Sequence, residues 1–160
     1  MTDRLTLLLP EEARARRDEL IALCAQAFAG PPWHEPPRGA VRTVDRLLGA
    51  AGRPGFDAAV ALGPGDEILG FAAGWPDTVL SGGATAFEFA ELVVAPAHQG
   101  RGLGRSLHDA LMAIVQITPS LLMTLDVPEL TDRYARWGWT VVDRRRPDGD
   151  PRDYVVMSRP

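Results

Sequence analysis

The chain has 160 residues, 46% hydrophobic and 24% charged, which suits one folded domain over 1–160 and excludes disorder throughout. A formal net charge of -4 argues against a nucleic-acid partner held on a basic surface. No apolar run approaches the ~20 residues of a membrane span, and the stretch Leu7–Leu9 is shorter than the roughly 7–15 apolar residues of a signal peptide, so no membrane partner and a cytoplasmic location are expected.

Leu5–Leu9 reads as a short strand stopped by Pro10. A helix is expected over 11–29, with Glu11 and Glu12 in its first turn, where the helix dipole favours acids. Leu20, Leu23, Cys24, Ala27 and Phe28 recur at three and four and form its apolar face. Gly30 ends this helix, and the proline-rich segment 31–37 cannot be regular structure. A second helix, about 40–51, carries Val41, Val44, Leu48 and Ala51. Two strands follow, Phe56–Leu62 and Ile68–Trp75, joined as a hairpin by the turn Gly63-Pro64-Gly65-Asp66. Thr85–Val94 is a third strand of this region, stopped by Pro96. Leu103, Leu107, Leu111 and Ile114 mark a helix over 102–117. A strand at 121–125 and a helix at 128–137 come next, the helix closed by Gly138 as a C-cap. Strands at 139–143 and 154–158 flank a charged turn, Arg144–Arg152. The fold class is therefore α/β of the α+β kind, a mixed, mostly antiparallel sheet of six to seven strands with about four helices. The strand-helix-strand unit over 86–126 is its one parallel crossover.

The chemistry concentrates in the segment Glu91-Leu92-Val93-Val94-Ala95-Pro96-Ala97-His98-Gln99-Gly100-Arg101-Gly102-Leu103-Gly104-Arg105. A buried strand enters a loop with glycines at alternate positions, and a helix begins inside that loop. Glycines let a ligand approach the backbone closely. The first N–H groups of a helix have no partner within it, so with the dipole they form an anion site suited to a pyrophosphate. Arg101 and Arg105 add positive charge there. The dinucleotide fingerprint G-x-G-x-x-G fails, since Arg105 stands where its last glycine belongs, and the P-loop ending is missing. All 17 basic residues are Arg, so no lysine nucleophile exists. A lone Cys24 excludes an internal disulfide, and His34, His98 and His108 lack zinc-site spacing, so no metal is expected.

The spacing Gln99-x-x-Gly102-x-Gly104, preceded by Val94-Ala95-Pro96, resembles the acyl-CoA signature of the GNAT acyltransferase superfamily. The element order and the segment Tyr134-Ala135-Arg136-Trp137-Gly138-Trp139, similar to that family's Tyr-x-x-x-Gly-Phe ending, carry the same resemblance. It implies transfer of an acetyl group from acetyl-CoA, as co-substrate, to a primary amine of a small molecule or peptide. Backbone groups of Leu92, Val93 and Val94 are expected on the pantetheine. Gln99, Gly100, Arg101, Gly102, Leu103, Gly104, Arg105 and Ser106 are expected around the pyrophosphate. Tyr134 matches the residue usually given the role of acid toward the departing thiolate. Glu91 matches a carboxylate that often serves as base, directly or through water. Alternation sets Glu91 with Phe87, Phe89 and Val93, where desolvation would suit a base, and sets Glu88 opposite. The acceptor side is expected to use Trp33, Glu35, Trp75 and Asp126. A homodimer is compatible with the resemblance, and a non-catalytic acyl-CoA sensor is the alternative function.

Overall fold

The computed structural model describes residues 3–160. The chain runs β1 (Arg4–Leu7), α1 (Pro10–Ala15), α2 (Arg17–Ala29), α3 (Pro37–Ala50), β2 (Asp57–Leu62), β3 (Ile68–Asp77), β4 (Ala86–Val94), α4 (Leu103–Met112), β5 (Ser120–Leu125), α5 (Pro128–Arg136), β6 (Thr140–Arg145) and β7 (Tyr154–Arg159). A single 3₁₀ turn, Pro96–His98, links β4 to α4. The seven strands are ordered β1-β2-β3-β4-β5-β7-β6. The pairs β1–β2, β2–β3, β5–β7 and β6–β7 are antiparallel, and β4–β5 is parallel. This is the expected mixed, mostly antiparallel architecture.

Five helices stand among the described residues where about four were expected, because the helix read over 11–29 breaks at Arg16. That residue closes α1 and opens α2 with φ -106° and ψ 22°. Its guanidinium bonds Glu19 at 2.9 Å and the carbonyl of Asp66 in the β2–β3 turn. Glu19 in turn accepts the N–H of Ile68 at 2.9 Å. The break thus follows a contact with a distant turn, which helical periodicity does not record.

The chain forms two compact units, one of residues 1–75 and 91–115, the other of 76–90 and 116–160. In the first unit, Leu20, Leu23 and Cys24 of α2 and Val44, Leu47 and Ala50 of α3 are buried. Ala58 to Leu62 of β2 are all buried rather than alternating, as are Ile68 to Trp75 of β3, so both faces of these strands are covered. Leu107 of α4 covers one face at Gly70. A Cβ on Gly70 would lie 2.7 Å from the Val93 carbonyl oxygen and 3.0 Å from Leu107 Cδ1. Gly70→Ala is therefore expected to destabilise the fold by about 1–3 kcal/mol through overpacking, read as a lower midpoint in thermal unfolding.

In the second unit, β4 and β5 form a parallel ladder of Phe87↔Ser120 and Glu88↔Leu121. The hairpin β6–β7 continues the sheet beyond β5, and its register shifts between Val141 and Asp143. The sequence reading ends β6 at Asp143, but the strand runs through Arg145. Arg144 and Arg145 are thus sheet residues, not turn residues.

Candidate active site

In the first unit, β4 delivers the chain into the glycine turn. Ala95 N–H donates to Leu69 O at 2.8 Å and fixes the strand's exit. The Gln99 side-chain amide donates to Val94 O at 2.9 Å. Gln99 therefore braces the corner between strand and loop. Gly100 and Gly102 adopt φ +78° and +82°, a left-handed backbone that glycine enters at no steric cost. A Cβ at either would meet nothing within 4 Å, so the loop presents open backbone. Gly102 is the N-cap of α4 and has no side chain to cap the helix. The N–H groups of the first turn receive no side-chain cap from Gly102, and the helix dipole lies behind them.

Buried Leu103, Leu107 and Leu111 anchor α4. Ser106 is exposed, and its hydroxyl donates to Gly102 O at 3.1 Å. Arg105 Nε bonds both carboxylate oxygens of Asp109, at 3.0 and 3.2 Å. Arg101 bonds His98 and lies 3.7 Å from Asp3. Both guanidiniums are thus engaged, Arg105 by Asp109 further along α4 and Arg101 by His98 and Asp3. His108 belongs to the helix as read, but it is fully buried and bonds Asp109 at 2.8 Å. Hydrogen bonds from His108 and Arg105 hold the Asp109 carboxyl below its ordinary range, against the desolvation that is the larger opposing influence.

Glu91 lies on the same strand, its side chain 12% exposed. Arg46 of α3 places Nη1 at 3.9 Å from Glu91 Oε1. The same guanidinium sits over the Trp75 ring, 5.0 Å from its centroid. Trp75 is 1% exposed and stacks on Phe56 at 6.3 Å. The ring of Trp75, a residue expected on the acceptor side, thus carries one of the protein's own cations. Cys24 is buried near Glu91, and its thiol is pushed well above its usual range, first by burial and then by the Glu91 charge. A neutral packed thiol follows, not a nucleophile. Trp33 packs edge-to-face on Phe28 at 5.6 Å. The loop holding Trp33 and Glu35 is closed by Glu35 N–H to Phe28 O at 2.8 Å. Arg46 carries no sequence signal, because it lies off the apolar face of α3, which the structure builds from Ala40, Val44, Leu47 and Ala50 instead of the Val41, Val44, Leu48 and Ala51 expected from spacing.

In the second unit, Tyr134 of α5 is 8% exposed within an aromatic cluster. Its ring lies edge-to-face with Phe89, Trp137 and Trp139 at 6.5, 5.5 and 6.4 Å. The N–H groups of Trp137 and Trp139 both donate to Tyr134 O at 3.0 Å. Gly138, at φ +97°, makes the turn between them. Asp126 pairs with Arg144 and donates its N–H to Asp153 O at 3.0 Å. Asp150 accepts from Arg152 and, at 2.6 Å, from the Tyr154 hydroxyl. These bonds, Arg152's foremost, hold the Asp150 carboxyl far below the usual range.

The model of the acetyltransferase (GNAT) family matches residues 20–124, a span that contains the glycine turn, Glu91 and Arg46. The chain belongs to the GNAT acetyltransferase family. As a GNAT protein it is an acyltransferase that draws on acyl-CoA. Solved structures share the fold across nearly the whole chain. PH1933 from Pyrococcus horikoshii OT3 is 20% identical with a TM-score of 0.76, over 99% of this chain and 98% of that one. A protein described as histone acetyltransferase HPA2 and related acetyltransferase, from Corynebacterium glutamicum ATCC 13032, is 17% identical with a TM-score of 0.73, over 100% and 97%. PaiA N-acetyltransferase from Thermoplasma acidophilum, solved in complex with coenzyme A, is 18% identical with a TM-score of 0.70, over 99% of each chain. None of the curated proteins matches the sequence. No helix among the described residues is long and apolar enough to cross a membrane, and no group of His, Cys, Asp and Glu among them is arranged to hold a metal.

Proposed function

We propose that this GNAT protein is a single-domain cytoplasmic N-acetyltransferase that moves the acetyl group of acetyl-CoA to a primary amine of a small molecule or peptide. The observation that carries the reading is the uncapped start of α4 behind Gly100 and Gly102, where open backbone faces outward. In this reading the N–H groups from Gly100 to Arg105 take the pyrophosphate. Arg101 and Arg105 add charge, and Gln99 and Ser106 shape the turn. Leu92, Val93 and the N–H of Val94 run along pantetheine. The neighbour solved with coenzyme A supports the cofactor.

Most amines are protonated at neutral pH, with reference pKa values near 10.4 for a lysine-like group and about 7.7–8.0 for an α-amino group. Glu91 takes the amine proton, directly or through water. The nitrogen then attacks the thioester carbonyl, the C–S bond breaks, and Tyr134 gives its proton to the departing sulfur; the second proton that the nitrogen sheds as the amide forms returns through water to the tyrosine oxygen. The acceptor side draws on Trp33 and Glu35, with Trp75 acting from beneath as packing. Asp126 contributes through its pair with Arg144.

The test is release of free thiol from acetyl-CoA over a panel of kanamycin, spermidine, lysine and an alanyl peptide, with mass spectrometry of the amine. An acetylated amine formed at a catalytic rate is expected. Tight acetyl-CoA binding with no turnover on any amine would replace the enzyme with an acyl-CoA sensor. An O-acylated or longer-chain product would correct the acceptor or the acyl group.

A further inference from the structure

We propose that Arg46 is a positioning residue for the Glu91 carboxylate, clamped in place by the Trp75 ring. The inference rests on the reading of Glu91 as the base. Three observations combine. Arg46 sits 5.0 Å over the indole of Trp75, and that indole is buried and stacked on Phe56. From this seat its Nη1 lies 3.9 Å from Glu91 Oε1. Glu91 itself is nearly covered, whereas the Arg46 side chain is half exposed.

A carboxylate so covered loses water that would otherwise solvate and orient it. A planar guanidinium can stack by its face on an aromatic ring while its edge addresses an anion, which an ammonium on a flexible stem does less well. The indole thus fixes the cation, and the cation fixes the direction and charge of the carboxylate. Arg46 from α3 and the Cys24 thiol from α2 both face Glu91 in this unit. The thiol stays neutral, so Arg46 supplies the charge. Arg46 touches neither cofactor nor acceptor in this role; it acts through Glu91.

The experiment uses the full chain labelled with ¹³C at the glutamate carboxyls, with Glu91 assigned by its loss in Glu91→Gln. Arg46→Met is expected to raise the Glu91 titration midpoint by about half to one pH unit, since removal of a nearby cation disfavours the ionised form. Arg46→Lys is expected to raise it by less. The acid limb of kcat/KM, measured with acetyl-CoA and the fastest amine of the panel, is expected to shift with it. In Arg46→Met, kcat falls roughly tenfold while KM for acetyl-CoA stays within about twofold. An unmoved Glu91 midpoint overturns the role of Arg46 and leaves the base assignment standing. A midpoint that moves while the acid limb stays keeps the coupling and removes Glu91 as the base. Arg46 is half exposed, so Arg46→Met is expected to fold, and an unchanged thermal midpoint verifies it.

Discussion

Gly102→Glu is expected to weaken coenzyme A binding at least about 100-fold, equivalent to about 3 kcal/mol. Gly102 is the N-cap of α4 and has open space where a side chain would begin. A glutamate there sets a carboxylate against the phosphates and covers the N–H groups meant for them. A residue with a Cβ at φ +82° also carries strain, about 1–2 kcal/mol for the left-handed region, so part of any loss could come from a shifted loop. Gly102→Asn separates the two effects, because asparagine tolerates this backbone and brings no charge. It is expected to retain most of the affinity. Calorimetric titration with coenzyme A, alongside thermal unfolding of both variants, measures this. Wild-type affinity in Gly102→Glu would move the diphosphate away from this loop and take the proposed cofactor site with it.

Tyr134→Phe is expected to lower kcat about 100-fold, at the lower end of general acid contributions, with coenzyme A affinity within about twofold. The ring is held by edge-to-face contacts with Phe89, Trp137 and Trp139, and phenylalanine keeps all three. Only the hydroxyl proton is removed, so the thermal midpoint should hardly change. Steady-state kinetics with the panel amines gives the answer. Full activity in Tyr134→Phe would mean that the thiolate leaves without this acid, and Tyr134 would become a packing residue.

Trp75 illustrates how residue type alone misleads about accessibility, being buried, while Asp126 stays exposed but engaged. A tryptophan at the end of a strand and an acid after a strand both suit an acceptor pocket. The tryptophan is instead packed under Arg46, and the acid is paired with Arg144. Each is satisfied by a residue far away in the chain, and no local pattern encodes that partner. Arg144 and Arg145, read as part of the charged turn, show the same limit: they extend β6, with Arg144 on Asp126 and Arg145 donating to Leu80 O at 2.8 Å.

The amino-acid order by itself determined what depends on near neighbours. Apolar spacing set the helices and strands, because burying one face needs only the local repeat. Gly100, Gly102 and Gly138 announced the left-handed turns, because a backbone with positive φ excludes most other residues. The spacing Gln99-x-x-Gly102-x-Gly104 with Tyr134 and Gly138 carried the family resemblance. Tertiary structure alone decided what depends on long-range pairing: the break at Arg16, the brace from Gln99 to Val94, the full burial of His108, and the seat of Arg46 between Trp75 and Glu91. Charges and rings select partners by distance in space, and only the folded chain sets those distances.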